Sequence, residues 1–158
     1  MAYQKLQAST ALEVIPSDTV EIPKPSSLMV SSTTTGAAAN KLIDANAKFI
    51  VIGVKAGDII YDTTTNIISK VTKVDSSGTE LEVTTAIPNA SDYTIYAQHN
   101  LPNNGCVLYI GSGGDVSLLT AGGSSVILKG LVTGQFVPVQ TLRVNSTSTT
   151  ATDIVALW

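Results

Sequence analysis

Between Cys106 and Lys129 the chain reads CVLYIGSGGDVSLLTAGGSSVILK, and this stretch decides the fold. It holds three apolar runs separated by glycine-rich segments, a pattern typical of short strands joined by turns. The run Cys106–Ile110 is nearly continuous, which predicts a strand buried on both faces. Gly111–Gly114 is then expected to be a hairpin turn.

The same alternation of strand and turn signals continues to the C-terminus. Turn signals recur about every 8–12 residues, the spacing that is typical of a β-sandwich or barrel. The last residues are apolar, which predicts a final strand tied into a sheet. The strands predicted after Gly114 are Asp115–Thr120, Ser125–Lys129, Gln135–Asn145 and Asp153–Trp158.

A second series of strand signals lies in residues 33–98. Before it, Lys41–Phe49 is either a short helix with Asn40 as N-cap or a loop, since Leu42, Ala45 and Phe49 would share one helix face. Polar or glycine-bearing turns separate the strands, so we expect a small barrel or rolled sheet. The predicted strands are Phe49–Val54, Asp58–Tyr61, Ile67–Val74, Glu80–Thr85 and Tyr93–Tyr96.

The N-terminal segment, residues 1–32, contains Pro16, Pro23 and Pro25. Proline fixes φ and lacks an amide donor, so Ile15–Lys24 should run extended. Thr19–Ile22 alternates polar and apolar residues and predicts one short strand. The segment is either an edge strand of its own domain or an arm that lies on a neighbouring subunit.

Composition supports an all-β class and excludes several functions. Of 158 residues, 50 are Val, Ile or Thr, and β-branched side chains favour strands over helices. The net charge of −3 is unlike that of a nucleic-acid binder, and the richness in Val and Ile is unlike a disordered tail. No apolar run is long enough for a membrane helix or a signal peptide, so we expect synthesis and folding in a cytoplasm. A single cysteine cannot form an internal disulfide.

The glycine run and the two most reactive side chains give only weak signals of catalysis. A dinucleotide-binding loop needs a third glycine where Val116 stands, and a helix after it, so Gly111–Gly114 is expected to be a turn only. His99 is the only imidazole and Cys106 the only thiol. They lie seven residues apart, and we interpret them as a junction histidine and a buried cysteine rather than a catalytic pair.

The carboxylates and tyrosines give equally weak signals. Asp58 and Asp62 flank one predicted strand, and Glu80 with Glu82 share a strand face, which is usual for solvated charge. Tyr93 and Tyr96 are the candidates for an exposed aromatic ligand-binding surface. We therefore predict no catalytic, cofactor-binding or metal-binding residues and no enzymatic activity.

The two ends of the chain, about residues 15–30 and 105–158, share a set of recognisable motifs. These motifs are Pro16–Pro23, Gly105–Gly111, Gly114–Val116, Thr120–Gly123, Phe136–Val139, Arg143-Val144 and Thr149–Trp158. Together they resemble a family of small virion proteins of tailed phages and gene transfer agents that form the base of head spikes. The middle segment, through Val54–Tyr61 and Val71–Asp75, is similar to domains of marine-phage structural proteins.

The resemblance implies a division of the chain and a location. Residues 1–32 and 99–158 would form one virion-associated β-domain with an extended N-terminal arm, and residues 33–98 an inserted β-module. The protein would sit on the outer surface of a phage capsid as a head spike base or as a decoration or cement subunit. Its partners would be the major capsid protein, further copies of itself (five in preference to three) and a head fibre or spike. A receptor- or glycan-binding module of a tail or fibre is the alternative.

Overall fold

A computed structural model describes residues 8–99 and 101–158. The chain divides into two compact units, the first containing the residues up to Pro25 together with Asn103–Trp158, the second Ser26–Pro102. The domain boundaries expected at residues 32/33 and 98/99 therefore lie instead at 25/26 and 102/103. Residues 28–33 form a strand of the second unit, and His99 is hydrogen-bonded to Asp58 of that unit.

The described residues form twelve strands and one short helix, and the expectation of an all-β fold is confirmed. A single 3₁₀ turn spans Pro25–Ser27. No helix in the described ranges is long and apolar enough to cross a membrane. The elements, in chain order, are β1 (Ala11–Glu13), β2 (Leu28–Thr33), β3 (Lys41–Ile43), α1 (Phe49–Ile52), β4 (Ile59–Asp62), β5 (Ile67–Val74), β6 (Glu80–Val83), β7 (Asp92–Tyr96), β8 (Cys106–Ser112), β9 (Gly114–Thr120), β10 (Ser125–Leu131), β11 (Phe136–Val144) and β12 (Thr152–Leu157).

The first unit is one six-stranded antiparallel sheet in the order β1-β12-β8-β11-β9-β10. Its core residues come from alternate positions of the strands, as the two-residue period of a β-strand requires. Leu108 and Ile110 of β8 are buried, whereas Val107 and Tyr109 between them are only half-buried. The expectation that β8 is buried on both faces is therefore wrong.

The glycine run after β8 is not a hairpin turn. Strands β8 and β9 both pair antiparallel with β11, which lies between them. Other backbone segments pass close to Gly113 and Gly114, where β8 ends and β9 begins. A Cβ on Gly113 would lie 2.6 Å from the carbonyl oxygen of Leu131, and one on Gly114 would lie 2.5 Å from the amide nitrogen of Ala151. Glycine is needed here because backbone approaches backbone.

The N-terminal segment lies against its own unit. The amide of Ser17 donates to the carbonyl of Val144 at 2.9 Å, and that of Ile22 to Leu142 at 2.8 Å. Val20 and Ile22 are buried. The segment is not a regular strand, so the strand predicted at Thr19–Ile22 is wrong. Of the two predicted locations, its own domain and a neighbouring subunit, the structure shows the first.

The second unit is a six-stranded sheet in the order β2-β7-β4-β5-β6-β3. Its two edges meet, because Gly36 just after β2 bridges to Ile43 of β3 and the Thr35 amide donates to the Ile43 carbonyl at 2.9 Å. This closure makes a small barrel around an apolar core. The core residues are Leu42, Phe49, Val54, Ile60, Val71, Leu81, Val83, Ile87, Tyr93 and Ile95.

Two local predictions in this unit are wrong. Lys41–Ile43 is a strand, paired with Glu80–Glu82, and Asn40 has a positive φ of 54° rather than an N-cap conformation. Residues 49–52, predicted as part of a strand, form α1. The helix ends at Gly53, whose left-handed backbone (φ 88°) lets its amide reach the carbonyls of the last turn.

Candidate functional site

The histidine and one carboxylate do come together, in the second unit. Nδ1 of His99 lies 2.6 Å from Oδ1 of Asp58, whose side chain is fully buried at the start of β4. The backbone amides of Lys55, Gln98 and His99 also donate to this carboxylate. The Asp58 carboxylate thus connects the turn before β4 to the segment after β7, and every bond it makes is internal.

The thiol of Cys106 is buried. The cysteine belongs to the first unit, where its thiol donates to the carbonyl of Thr141 at 3.3 Å. Burial raises the pKa of this thiol to about 12, so the thiolate, the reactive form, is scarce at neutral pH.

The remaining carboxylates have structural partners. Asp62 is buried and accepts hydrogen bonds from the amides of Thr64 and Thr65 and from the Thr65 hydroxyl, which shapes the loop after β4. Glu80 pairs with Lys41 at 2.5 Å, and Glu82 pairs with Lys73 at 3.3 Å. The described residues contain no group of three or more His, Cys, Asp or Glu side chains that could hold a metal ion.

The two tyrosines are not exposed. Tyr93 is in the barrel core, packs its ring near Phe49 and donates its hydroxyl to Asp44 at 2.8 Å. Burial, with the Asp44 carboxylate beside it, raises the pKa of this phenol. Tyr96 is buried against Tyr61. An aromatic binding surface made of Tyr93 and Tyr96 is therefore absent.

Apolar side chains are instead exposed at places that the sequence analysis did not single out. In the second unit, Val51 on α1 is 81% exposed, and it lines two grooves of about 420 and 360 Å³. In the first unit, Val126 and Ile127 of β10 are 39% and 44% exposed, and β10 is an edge strand. The uncharged run from Gly122 to Leu128 was the signal in the sequence that could have found this edge.

The exposed apolar side chains around Val51 and along β10 are the candidate functional surfaces. Comparison of the chain with family models, with curated proteins and with solved structures finds no match.

Proposed function

We propose that this protein is a structural subunit on the outer surface of a tailed-phage capsid, as a head spike base or a decoration or cement subunit, and that it catalyses no reaction. The observation that carries the proposal is the joint folding of the two chain ends. Both segments that resemble the head-spike-base family belong to the first unit for most of their length, linked by the hydrogen bonds of Ser17 and Ile22 to β11.

The chemistry of the side chains is consistent with a binding role. The Asp58–His99 pair lies inside a network of backbone hydrogen bonds, Cys106 is buried, and the exposed groups are mostly short and uncharged. Surfaces of this kind serve protein–protein contacts, in which apolar anchors and strand edges supply the binding energy.

The proposed partners are the major capsid protein, further copies of this chain, and a head fibre or spike seated on them. A position at a fivefold vertex would require five copies, and one at a threefold axis three. The protein would be made in the host cytoplasm and reach the outside with the assembled virion. No contact with nucleic acid or membrane is proposed.

Immunogold electron microscopy of purified particles tests the location. Antibodies raised against the purified chain should label the outside of the heads, and prior absorption with the same chain should abolish the label. Label confined to tails or fibres would favour the receptor-binding alternative, which binding to a glycan array would then support. Intact particles that carry no label, from a lysate in which the chain is abundant, would overturn the proposal.

A further inference from the structure

The edge of β10 carries backbone groups that its own sheet does not use. The Thr120 amide donates to the Ser124 carbonyl at 2.9 Å, so the backbone carbonyl of Ser124 points toward β9. Because bonded and non-bonded pairs alternate along an antiparallel ladder, the amides and carbonyls of Ser125 and Ile127 point away from β9. The hydrogen bonds of β9 agree with this. Ser117 lies opposite Ile127, and its carbonyl accepts a hydrogen bond from the Asn145 amide on the other side of β9.

The two edges of this sheet differ in their protection against strand addition. Edge strand β1 is three residues long, ends with Glu13 and is followed by Pro16, all features that discourage pairing with another chain. Strand β10 is seven residues long and contains no proline. Its only irregularity, a bulge at Gly130 (φ 64°), lies beyond Leu128. Residues 124–128 are thus a regular edge without these protections.

The side chains of this stretch also suit contact with a like strand. Val126 and Ile127 are adjacent, so they point to opposite faces of the sheet, and both are exposed. No charged residue occurs between Gly122 and Leu128. The nearest charge, Lys129, is paired with Asp115 at 3.3 Å in its own unit. Two copies of this edge can meet without placing like charges opposite each other.

We propose that β10 pairs with β10 of a second copy, antiparallel about a twofold axis at Val126. Ser125 of each copy then lies opposite Ile127 of the other, and these two pairs exchange four backbone hydrogen bonds. Lys129 lies opposite Gly123 of the second copy, where there is no charge to repel it. We name a second copy as the partner because its own Ser125 and Ile127 present outward-pointing backbone groups at the same spacing.

This inference rests on the free edge alone and does not require the virion role. A strand pair of about five residues buries less area than a stable dimer needs, so the dimer should be weak and depend on concentration. On a capsid, where copies are held at high local concentration, a twofold contact would join neighbouring copies rather than close a ring around one axis.

The solution mass of the full chain, measured by light scattering over a range of concentrations, tests the contact. The wild type should shift from monomer to dimer, and Ile127→Pro, which removes the outward amide, should weaken the dimer by about tenfold or more. Ala11→Pro is the matched control, because Ala11 has its amide on the free side of the β1 edge. A wild type that stays monomeric, or a dimer that Ile127→Pro leaves unchanged, overturns the proposal. A ring of five or three that Ile127→Pro leaves unchanged also overturns it, but leaves the capsid proposal standing.

A cross-link tests the register without depending on how well a proline variant folds. Across the twofold axis the Cα atoms of the two Val126 residues should lie about 4.5 Å apart, within the range of a disulfide. Val126→Cys should therefore form a covalent dimer on mild oxidation. Val51→Cys, a more exposed position in the other unit, should form little, and the native Cys106 is buried. Equal cross-linking at positions 126 and 51 would contradict the proposed pairing.

Discussion

Asp58 and His99 are joined twice: Nδ1 of the imidazole lies 2.6 Å from Oδ1 of the carboxylate, and the His99 backbone amide donates to the same oxygen at 3.2 Å. The Gln98 amide donates to the same oxygen at 2.8 Å, so three nitrogen atoms of residues 98 and 99 are hydrogen-bonded to it. The pair therefore fixes the chain where it leaves β7. These hydrogen bonds hold the segment after β7 against the start of β4.

Replacing Asp58 should destabilise the second unit strongly. Asp58→Ala leaves the partly buried amides of Lys55, Gln98 and His99 without their acceptor, which should lower the free energy of unfolding by about 3 kcal/mol. Urea unfolding followed by circular dichroism measures the loss. Glu82→Ala, which removes only an exposed ion pair with Lys73, should change it by less than about 0.5 kcal/mol. Similar effects of the two substitutions would contradict this account.

The hydroxyl of Tyr93 offers a second, finer test in the same unit. Tyr93→Phe keeps the buried ring but removes the bond to Asp44, a carboxylate that also accepts hydrogen bonds from Ser32 and from the Asn46 amide. We expect a loss of about 2 kcal/mol, the range for hydrogen bonds to charged groups. Tyr109→Phe is the control, and should be close to neutral. If Tyr93→Phe is equally neutral, the hydroxyl does not contribute to the barrel.

How far the fold followed from the sequence depends on whether each signal was local. Ile67–Val74 was predicted with its observed bounds, because eight residues rich in β-branched side chains lie between two polar turns. The strand at Lys41–Ile43 was not predicted, since it exists through pairing with Glu80–Glu82, about forty residues away. The helix at Phe49–Ile52 has too few residues to show a helical period. It depends on the left-handed Gly53 and on burial of Phe49.

The surface was harder to predict than the fold. The sequence does show that Ser124–Leu128 is uncharged and strand-like, but whether a strand is central or at an edge depends on the order of all six strands. That order places β11 between β8 and β9, although β8 and β9 are consecutive in the chain. For this reason Gly111–Gly114, which resembles a hairpin turn locally, is not one.

The close approach of backbone to Gly113 gives a prediction about the first unit. Gly113→Ala would place a Cβ 2.6 Å from the Leu131 carbonyl, so we expect a loss of at least about 2 kcal/mol. Gly122→Ala, in the β9–β10 turn at the other end of β9, has no neighbour closer than 3.8 Å and should be close to neutral. Trp158, the only tryptophan, lies in this unit, so its fluorescence during urea unfolding measures both variants. Equal stability of the two variants would show that position 113 tolerates a side chain.

Cys106 predicts how the stability of the first unit changes in alkaline solution. Burial raises its pKa from an ordinary value of 9.0 to about 12, so between these values the folded thiol keeps a proton that the unfolded thiol loses. The unfolded state then binds fewer protons, and stability must fall as pH rises above about 9, with a slope approaching about 1.4 kcal/mol per pH unit. Cys106→Ala should cost about 1 kcal/mol at neutral pH through lost packing and should lack this part of the slope. Trp158 fluorescence in urea at several pH values gives the difference between the two proteins, which should shrink above about pH 9. A constant difference would mean that the thiol ionises as readily in the folded as in the unfolded chain.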